Sequence, residues 1–217
     1  MFEGKVFICN INPGEVKSLF VESLMALIFH DRQHWQRVHS FQMMTFGPSL
    51  GVGRNVLVDG FLKTDADWML MIDSDMVFPP DALDRLALHA DKDKRPIVGG
   101  LCVSKDNKPV IKKWVTAYAM ANAEFLPTDG QVVRVDATGA AFLLVHRSAL
   151  EKMREKAQPL QPYWFGDMCM GGKDRQVLGE DTGFCARAGL AGIPIYVVRG
   201  VGIGHEKTVI FTEEGMQ

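Results

Sequence analysis

Trp68-Met69-Leu70-Met71-Ile72-Asp73-Ser74-Asp75-Met76 is the stretch that decides how this 217-residue chain folds. Five apolar residues run straight into two acids one residue apart. A short continuous apolar run marks a strand covered on both faces, as in the centre of a parallel sheet. Side chains alternate along a strand with period two, so Asp73 and Asp75 are expected on the same side of its end. Like charges that close need an apposed cation or a raised proton affinity. A divalent ion supplies that charge, and magnesium or manganese takes one or two carboxylates together with waters and substrate phosphates. The carboxyl ends of strands are also where open α/β sheets bind ligands. Asp and Ser equally suit a solvated turn, so the two acids take their meaning from the rest of the chain. A calcium EF-hand is excluded, because its glycine position falls on Phe78 and its bidentate position on Asp84.

On the N-terminal side, Lys5–Ile11 reads as a buried strand stopped by the turn signal Asn12-Pro13-Gly14. Apolar residues at Val16, Leu19, Phe20, Leu24, Leu27 and Ile28 then follow helical spacing. His39–Phe46 is a second strand, Gly47–Gly53 a loop, and Arg54–Lys63 a helix carrying Leu57, Val58, Phe61 and Leu62. After the central strand, Pro79-Pro80-Asp81 opens a helix with Leu83, Leu86, Ala87 and Ala90. Strand and helix thus alternate over the first ~95 residues, the pattern of a parallel sheet with right-handed crossovers. The second half is different. Pro96–Val103, Gln131–Asp136 and Ala140–His146 are strands with little helix between them. Ser148-Ala149-Leu150-Glu151 reads as a capping box, and a loop rich in glycine and aromatics spans Gln158–Leu178. A helix near Asp181–Ala188 and an apolar strand, Ile193–Val198, complete the pattern. One mixed α/β domain over residues 1–217 is expected, with halves at about 1–95 and 96–217.

Composition narrows the function classes. Lys and Arg number 24, Asp and Glu 26, for a net charge of −2, so no clustered basic excess points to a nucleic-acid binder. The longest apolar stretches fall far short of the ~18–20 residues of a membrane span. Met1–Val6 carries Glu3 and Lys5 and shows no signal-peptide plan. Cys9, Cys102, Cys169 and Cys185 are scattered without a CxxC pair and read as free thiols. A soluble cytoplasmic protein is the expectation.

Several elements, in order, resemble the GT-A fold glycosyltransferases, in particular the inverting family 2. The first strand runs into a loop near Asn10–Pro13, where such enzymes seat the nucleotide base. Gly53-Arg54-Asn55 before a helix resembles the family's "RN" element, and WMLMIDSDM is similar to its metal-binding strand end. Val135-Asp136-Ala137-Thr138-Gly139-Ala140 is similar to its acceptor-side strand. LGEDTGFCARAGLAGIPIYVV resembles its ED-containing helix and following strand, and GIGHEK its histidine-bearing tail. The likeness covers roughly residues 5–207. It implies a mostly parallel central sheet flanked by helices, with a Rossmann-like nucleotide-binding half and a smaller acceptor-side half.

The resemblance also implies roles. Asp75, Asp73 and His205 would hold Mn2+ or Mg2+, with the diphosphate of a UDP- or GDP-sugar bridged by the ion. Asp181 would be the general base on the acceptor hydroxyl, and Glu180 would position the acceptor or orient Asp181. Asn10, Arg54, Asp73 and Trp164 would contact the donor, Arg54 through phosphate or base and Trp164 as a sugar-stacking face. That tryptophan sits in a segment, Pro162-Tyr163-Trp164-Phe165-Gly166 through Gly171-Gly172-Lys173, suited to a closing loop. His30, His34, His39 and Trp35 match no metal template and read as structural. The chain lacks the QxxRW element of processive synthases, and only 12 residues follow His205, so a large acceptor would be held by a partner or a second copy. The reaction expected is non-processive, metal-dependent transfer of a sugar, with inversion. Two other classes stand beside it. A nucleotidyltransferase would carry a Gly-rich, basic phosphate loop where this chain has Asn12-Pro13-Gly14-Glu15, and a non-catalytic nucleotide-binding module would have no need of the ED pair.

Overall fold

The structure is a computed structural model and describes residues 2–47, 49–103, 109–116, 119–122, 131–157, 163–171 and 176–207. In chain order the elements begin Val6–Asn12 (β1), Ser18–His34 (α1), Val38–Thr45 (β2), Leu50–Leu62 (α2), Trp68–Asp73 (β3), Met76–Val77 (β4), Ala82–Ala87 (α3) and Ile97–Gly100 (β5). They continue with Ile111–Thr116 (β6), Ala119–Asn122 (β7), Val132–Val135 (β8), Ala137–Thr138 (β9), Phe142–His146 (β10) and Arg147–Lys156 (α4). Met168–Cys169 (β11), Val177–Leu178 (β12), Glu180–Leu190 (α5), Ile195–Val198 (β13) and Gly204–His205 (β14) follow.

Seven strands form one sheet in the order β2-β1-β3-β10-β5-β13-β8. The pairings run β2, β1, β3, β5 and β13 in one direction and only β10 and β8 against them, so the sheet is mostly parallel. Strands from the first ~95 residues occupy one side of the sheet and later ones the other, and the two sides meet where β3 pairs with β10. Alternation sorts the core into two layers. Phe7, Cys9, Ile11, Met69 and Met71 pack under α2, α4 and α5 through Leu57, Phe61, Leu150 and Phe184. Val6, Ile8, Leu70 and Ile72 pack under α1 and α3 through Phe20, Leu27, Leu83 and Leu86. The result is a three-layer α/β/α arrangement with β3 buried on both faces up to Asp73.

Three local readings are corrected. Helix α2 begins at Leu50 and takes in Gly51 and Gly53, which the sequence reading gave to a loop. Those glycines serve close packing: a Cβ on Gly51 would lie 3.3 Å from Glu180 Cβ and from Gly166 Cα, and one on Gly53 2.6 Å from Ile11 Cδ1. Helix α4 is capped by His146, whose ring nitrogen accepts from the Ser148 amide, so the cap lies two residues before the expected Ser148. β6 and β7 lie between Val103 and Gln131, where no strand was expected, and form a small sheet with β9.

Candidate active site

The carboxyl end of β3 carries the chemistry. The strand stops at Asp73, and Ser74 and Asp75 form a turn, so the alternation that would have put both acids on one side does not extend to Asp75. Each acid has its own cation instead. Asp73 Oδ1 accepts from Arg54 Nη2 at 2.8 Å. Asp75 Oδ2 lies 3.1 Å from His205 Nε2 and 2.6 Å from Lys207 Nζ.

His205 reaches Asp75 because β14 pairs antiparallel with β4, setting His205 opposite Met76. The chain turns into that ribbon at Gly202, whose φ of +82° favours glycine and whose Cβ would meet Pro79 at 3.2 Å. His205 Nδ1 faces the Val103 carbonyl at 3.4 Å. With Nδ1–H held by that carbonyl, Nε2 can turn its lone pair to a metal ion lying between it and Asp75, the usual way an imidazole is prepared as a metal ligand, whereas without the ion its contact with Asp75 is made by a hydrogen on Nε2. One carboxylate oxygen and one imidazole nitrogen side by side suit manganese or magnesium, if diphosphate oxygens and waters complete the shell. Among the described residues no group of three His, Cys, Asp or Glu side chains gathers into a complete metal cage. Cys102 is close enough for Asp73 and Asp75 to act on it, but burial first and those charges second push its thiol up to about 12, so it stays protonated.

Arg54 joins this end to the start of α5. Its guanidinium is 2 % exposed and donates to Asp73 and, through Nε, to Glu180 Oε1 at 3.3 Å. Burial works against its charge, but the carboxylates of Asp73 and Glu180 outweigh it and its proton affinity is raised. The sequence reading gave Arg54 to donor phosphate or base. Its partners are instead two carboxylates, and only Nη1 is left buried without a partner. Glu180 is shifted the other way. Burial, opposed by Arg54 and helped by Asp181 and Asp73, raises its carboxyl from 4.5 to about 7. Its Oε2 is buried with no partner.

Asp181 follows in the first turn of α5, where acids are favoured by the helix dipole. Its Oδ1 accepts from the Thr182 amide at 2.6 Å, and its Oδ2 would lie 3.7 Å from a Cβ placed on Gly139, in the turn between β9 and β10. The turn between β9 and β10 and the start of α5 therefore meet at this carboxylate.

Two donor contacts expected from the sequence are overturned. Trp164 is 1 % exposed and donates its indole N–H to the Leu150 carbonyl at 2.8 Å, so it is core and offers no face to a sugar. Asn10 is fully buried within the sheet, its amide nitrogen on the Ile72 carbonyl at 2.9 Å, and does not reach a ligand. Pro162, Gly172 and Lys173 of the expected closing loop lie outside the described residues. Its central part is pinned. Asn55 donates to the Phe165 carbonyl and accepts from the Phe165 amide, at 2.7 and 2.9 Å, Arg187 holds the Gly166 carbonyl at 2.7 Å, and Phe165 stacks on Phe184 at 4.4 Å. Asn55 and Lys207 were passed over in the sequence, although Asn55 sits in the RN element and Lys207 two residues beyond the histidine. His30 and Trp35 bind Asp84 and His34 binds the His30 carbonyl, in keeping with a structural reading.

Residues 49–154, just under half the chain, match the model of Glycosyl transferase family 2. Over that region the chain is similar to the family 2 glycosyltransferases, and its fold is of the GT-A type. Two solved structures share that fold with this chain. A197 from STIV superposes with a TM-score of 0.64 at 15 % identity, over 94 % of this chain and 86 % of that one. GalNAc-T7, solved with UDP, GalNAc and Mn2+, superposes with a TM-score of 0.59 at 10 % identity, over 93 % of this chain and 44 % of that one. The chain thus spans less than half of GalNAc-T7. A search of curated proteins returned no match. No helix among the described residues is long and apolar enough to cross a membrane.

Proposed function

We propose that the chain transfers a sugar from a UDP- or GDP-sugar to an acceptor hydroxyl, non-processively, with inversion at the anomeric carbon and with a divalent ion. The observation that supports this reading is the Arg54 bridge, which joins Asp73 at the strand end to Glu180 of the ED pair although 107 positions separate them. Asp75 and His205 would hold Mn2+ or Mg2+. When bound, that ion supplies Lewis-acid neutralisation of the charge gathering on the departing nucleoside diphosphate. Lys207, already on Asp75 Oδ2, is placed to turn its ammonium to a diphosphate oxygen once the donor arrives. Asp181 accepts the proton of the acceptor hydroxyl at Oδ2, the oxygen not used on the Thr182 amide. The hydroxyl oxygen bonds to the anomeric carbon as the bond to diphosphate breaks, and one such displacement inverts the centre. Arg54 keeps Asp73 and Glu180 apart in charge and fixed in place.

A second reading has its own support. A carboxyl raised to about 7 is well matched to general-base work near neutral pH, and by this measure Glu180 could take the proton with Asp181 orienting it. A cytoplasmic location belongs to the proposal, since all four cysteines are free, as a reducing compartment would keep them.

The test uses the whole protein with UDP and GDP, with and without Mn2+, followed by thermal unfolding. Nucleotide at 100 times its Kd stabilises the native state by about 2.7 kcal/mol, or about 5–10 °C for a chain of this size. The shift should need the metal and vanish in Asp75→Ala. Asp181→Asn should keep the shift and lose donor hydrolysis by about 10²–10⁴-fold. No shift with either nucleotide refutes the donor assignment. Full hydrolysis in Asp181→Asn, with loss in Glu180→Gln, moves the base to Glu180.

A further inference from the structure

At the opposite end of β3 from Asp73 lies an open cleft of about 820 Å³, within the usual ~300–1,000 Å³ of ligand sites. Trp68 opens the strand beside this cleft and Asp73 closes it at the other end, so about 17 Å of strand separates the two places. The cleft shares no residue with the site already described.

Its walls are unlike a drug-type apolar pocket. Trp35 projects from the end of α1 and remains 59 % exposed, yet its ring is held at two points. The indole N–H donates to Asp84 Oδ2 at 3.1 Å, and the Arg37 guanidinium lies over the ring 5.2 Å from its centroid. Arg37 is itself held by Asp31 and Asp84, and Asp84 also takes His30 Nε2 at 2.8 Å. An exposed aromatic ring locked by an ion-pair network is a preformed stacking platform, costing little ordering on binding.

Around the platform, donors and acceptors alternate. Asp67, Asp91 and Asp93 supply carboxylates, and Lys92 and Arg95 supply cations. Deeper in, His146 packs edge-on against Trp68 at 4.7 Å. Its Nδ1 accepts from the Ser148 amide, which leaves Nε2 as the protonated, donating nitrogen. Acids outnumber bases, which disfavours an anion, while Arg37, Lys92 and Arg95 disfavour a cation. A ligand whose groups donate and accept at once, and whose C–H faces suit the electron-rich face of an indole, satisfies all of these walls.

We infer that this cleft is a saccharide-binding site, taking a short stretch of neutral oligosaccharide on Trp35, separate from the donor site. The inference stands on the cleft's own chemistry, and it fails or holds independently of the donor reading. In a transferase such a cleft holds a glycan at a second point while the chain's reactive hydroxyl is at the far end of the sheet.

The experiment records 15N-labelled protein with maltotriose, cellotriose and chitotriose, following the four tryptophan indole signals, with hexalysine and a heparin trisaccharide as charged probes. At least one neutral trisaccharide should shift the Trp35 signal saturably. Trp35→Ala should weaken binding at least tenfold with an unchanged unfolding midpoint, and Leu88→Asp, on the exposed rim, should weaken it several-fold. Binding should survive in Asp75→Ala. No shift with any neutral trisaccharide overturns the inference. So does binding that ignores Trp35→Ala, or binding that is lost in Asp75→Ala, which would place the sugar at the donor site. Preferential binding of hexalysine or of the heparin trisaccharide overturns it as well, the first making the cleft a basic-peptide site.

Discussion

Glu180 should be a liability to the fold, and replacing it by glutamine should make the protein more stable. Its carboxyl is 17 % exposed, bonded on one oxygen to Arg54, and unpartnered on the other. A proton affinity raised from 4.5 to about 7 corresponds to about 3 kcal/mol against the charged form in the native state. In the unfolded chain the group ionises near 4.5, while in the native state it holds its proton to about 7. Between those values the native state binds more protons, so stability falls as pH rises through this window. At pH 8 the wild-type protein bears the full cost, and at pH 5 nearly none of it. Glutamine keeps an acceptor for Arg54 Nε and never ionises. Glu180→Gln should therefore exceed wild type by about 2–3 kcal/mol at pH 8, an unfolding midpoint about 5–10 °C higher. At pH 5 the two should agree within about 1 kcal/mol. Urea unfolding followed by tryptophan fluorescence at both pH values measures this. A glutamine variant less stable at pH 8, or a difference that does not change with pH, would refute the reasoning. A residue kept against its own stability cost is what a working site requires.

Two further substitutions test the site's frame. Arg54→Met leaves Asp73 and Glu180 half-buried without their cation and should cost about 3–5 kcal/mol, a loss that shrinks at pH 5, where Glu180 holds its proton, as denaturant titration at two pH values would show. Trp164→Ala should cost about 3–5 kcal/mol as a core truncation. Nucleotide affinity per folded molecule should be unchanged in that variant by calorimetry, whereas a selective loss of donor affinity would restore it to the site.

Much of the frame was readable because burial writes itself into sequence. β1, β3, β10 and β13 appear as apolar runs, since each is covered on both faces, and α1 and α4 show the spacing of one buried stripe. Failures have local causes. Gly51 and Gly53 looked like a loop because their role, close approach to α5 and β1, depends on chain more than 100 residues away in one case. β6 was missed because Lys112 and Lys113 interrupt its pattern, and its partners are short. The site was legible as residue types and order, and only partly as geometry. Asp75 and His205 do lie together, but Arg54 cannot be seen from sequence as a bridge, because its partners Asp73 and Glu180 lie 19 and 126 positions away. Trp164 misled for a simple reason: an aromatic among glycines reads as a surface loop until something is found to cover it.

The sheet order has a consequence for how this chain is made. β3 is complete once residue 73 has left the ribosome, yet its second edge stays bare until β10, residues Phe142–His146, has been synthesised and inserted beside it. β5 waits for the same strand, since its neighbours are β10 and β13. At about 5–20 residues per second, this apolar central strand spends several seconds with an unpaired edge. A chaperone that shields short apolar strands would act on this nascent chain between residues 73 and 146, and a chain released before residue 146 would present two adhesive edges to its neighbours.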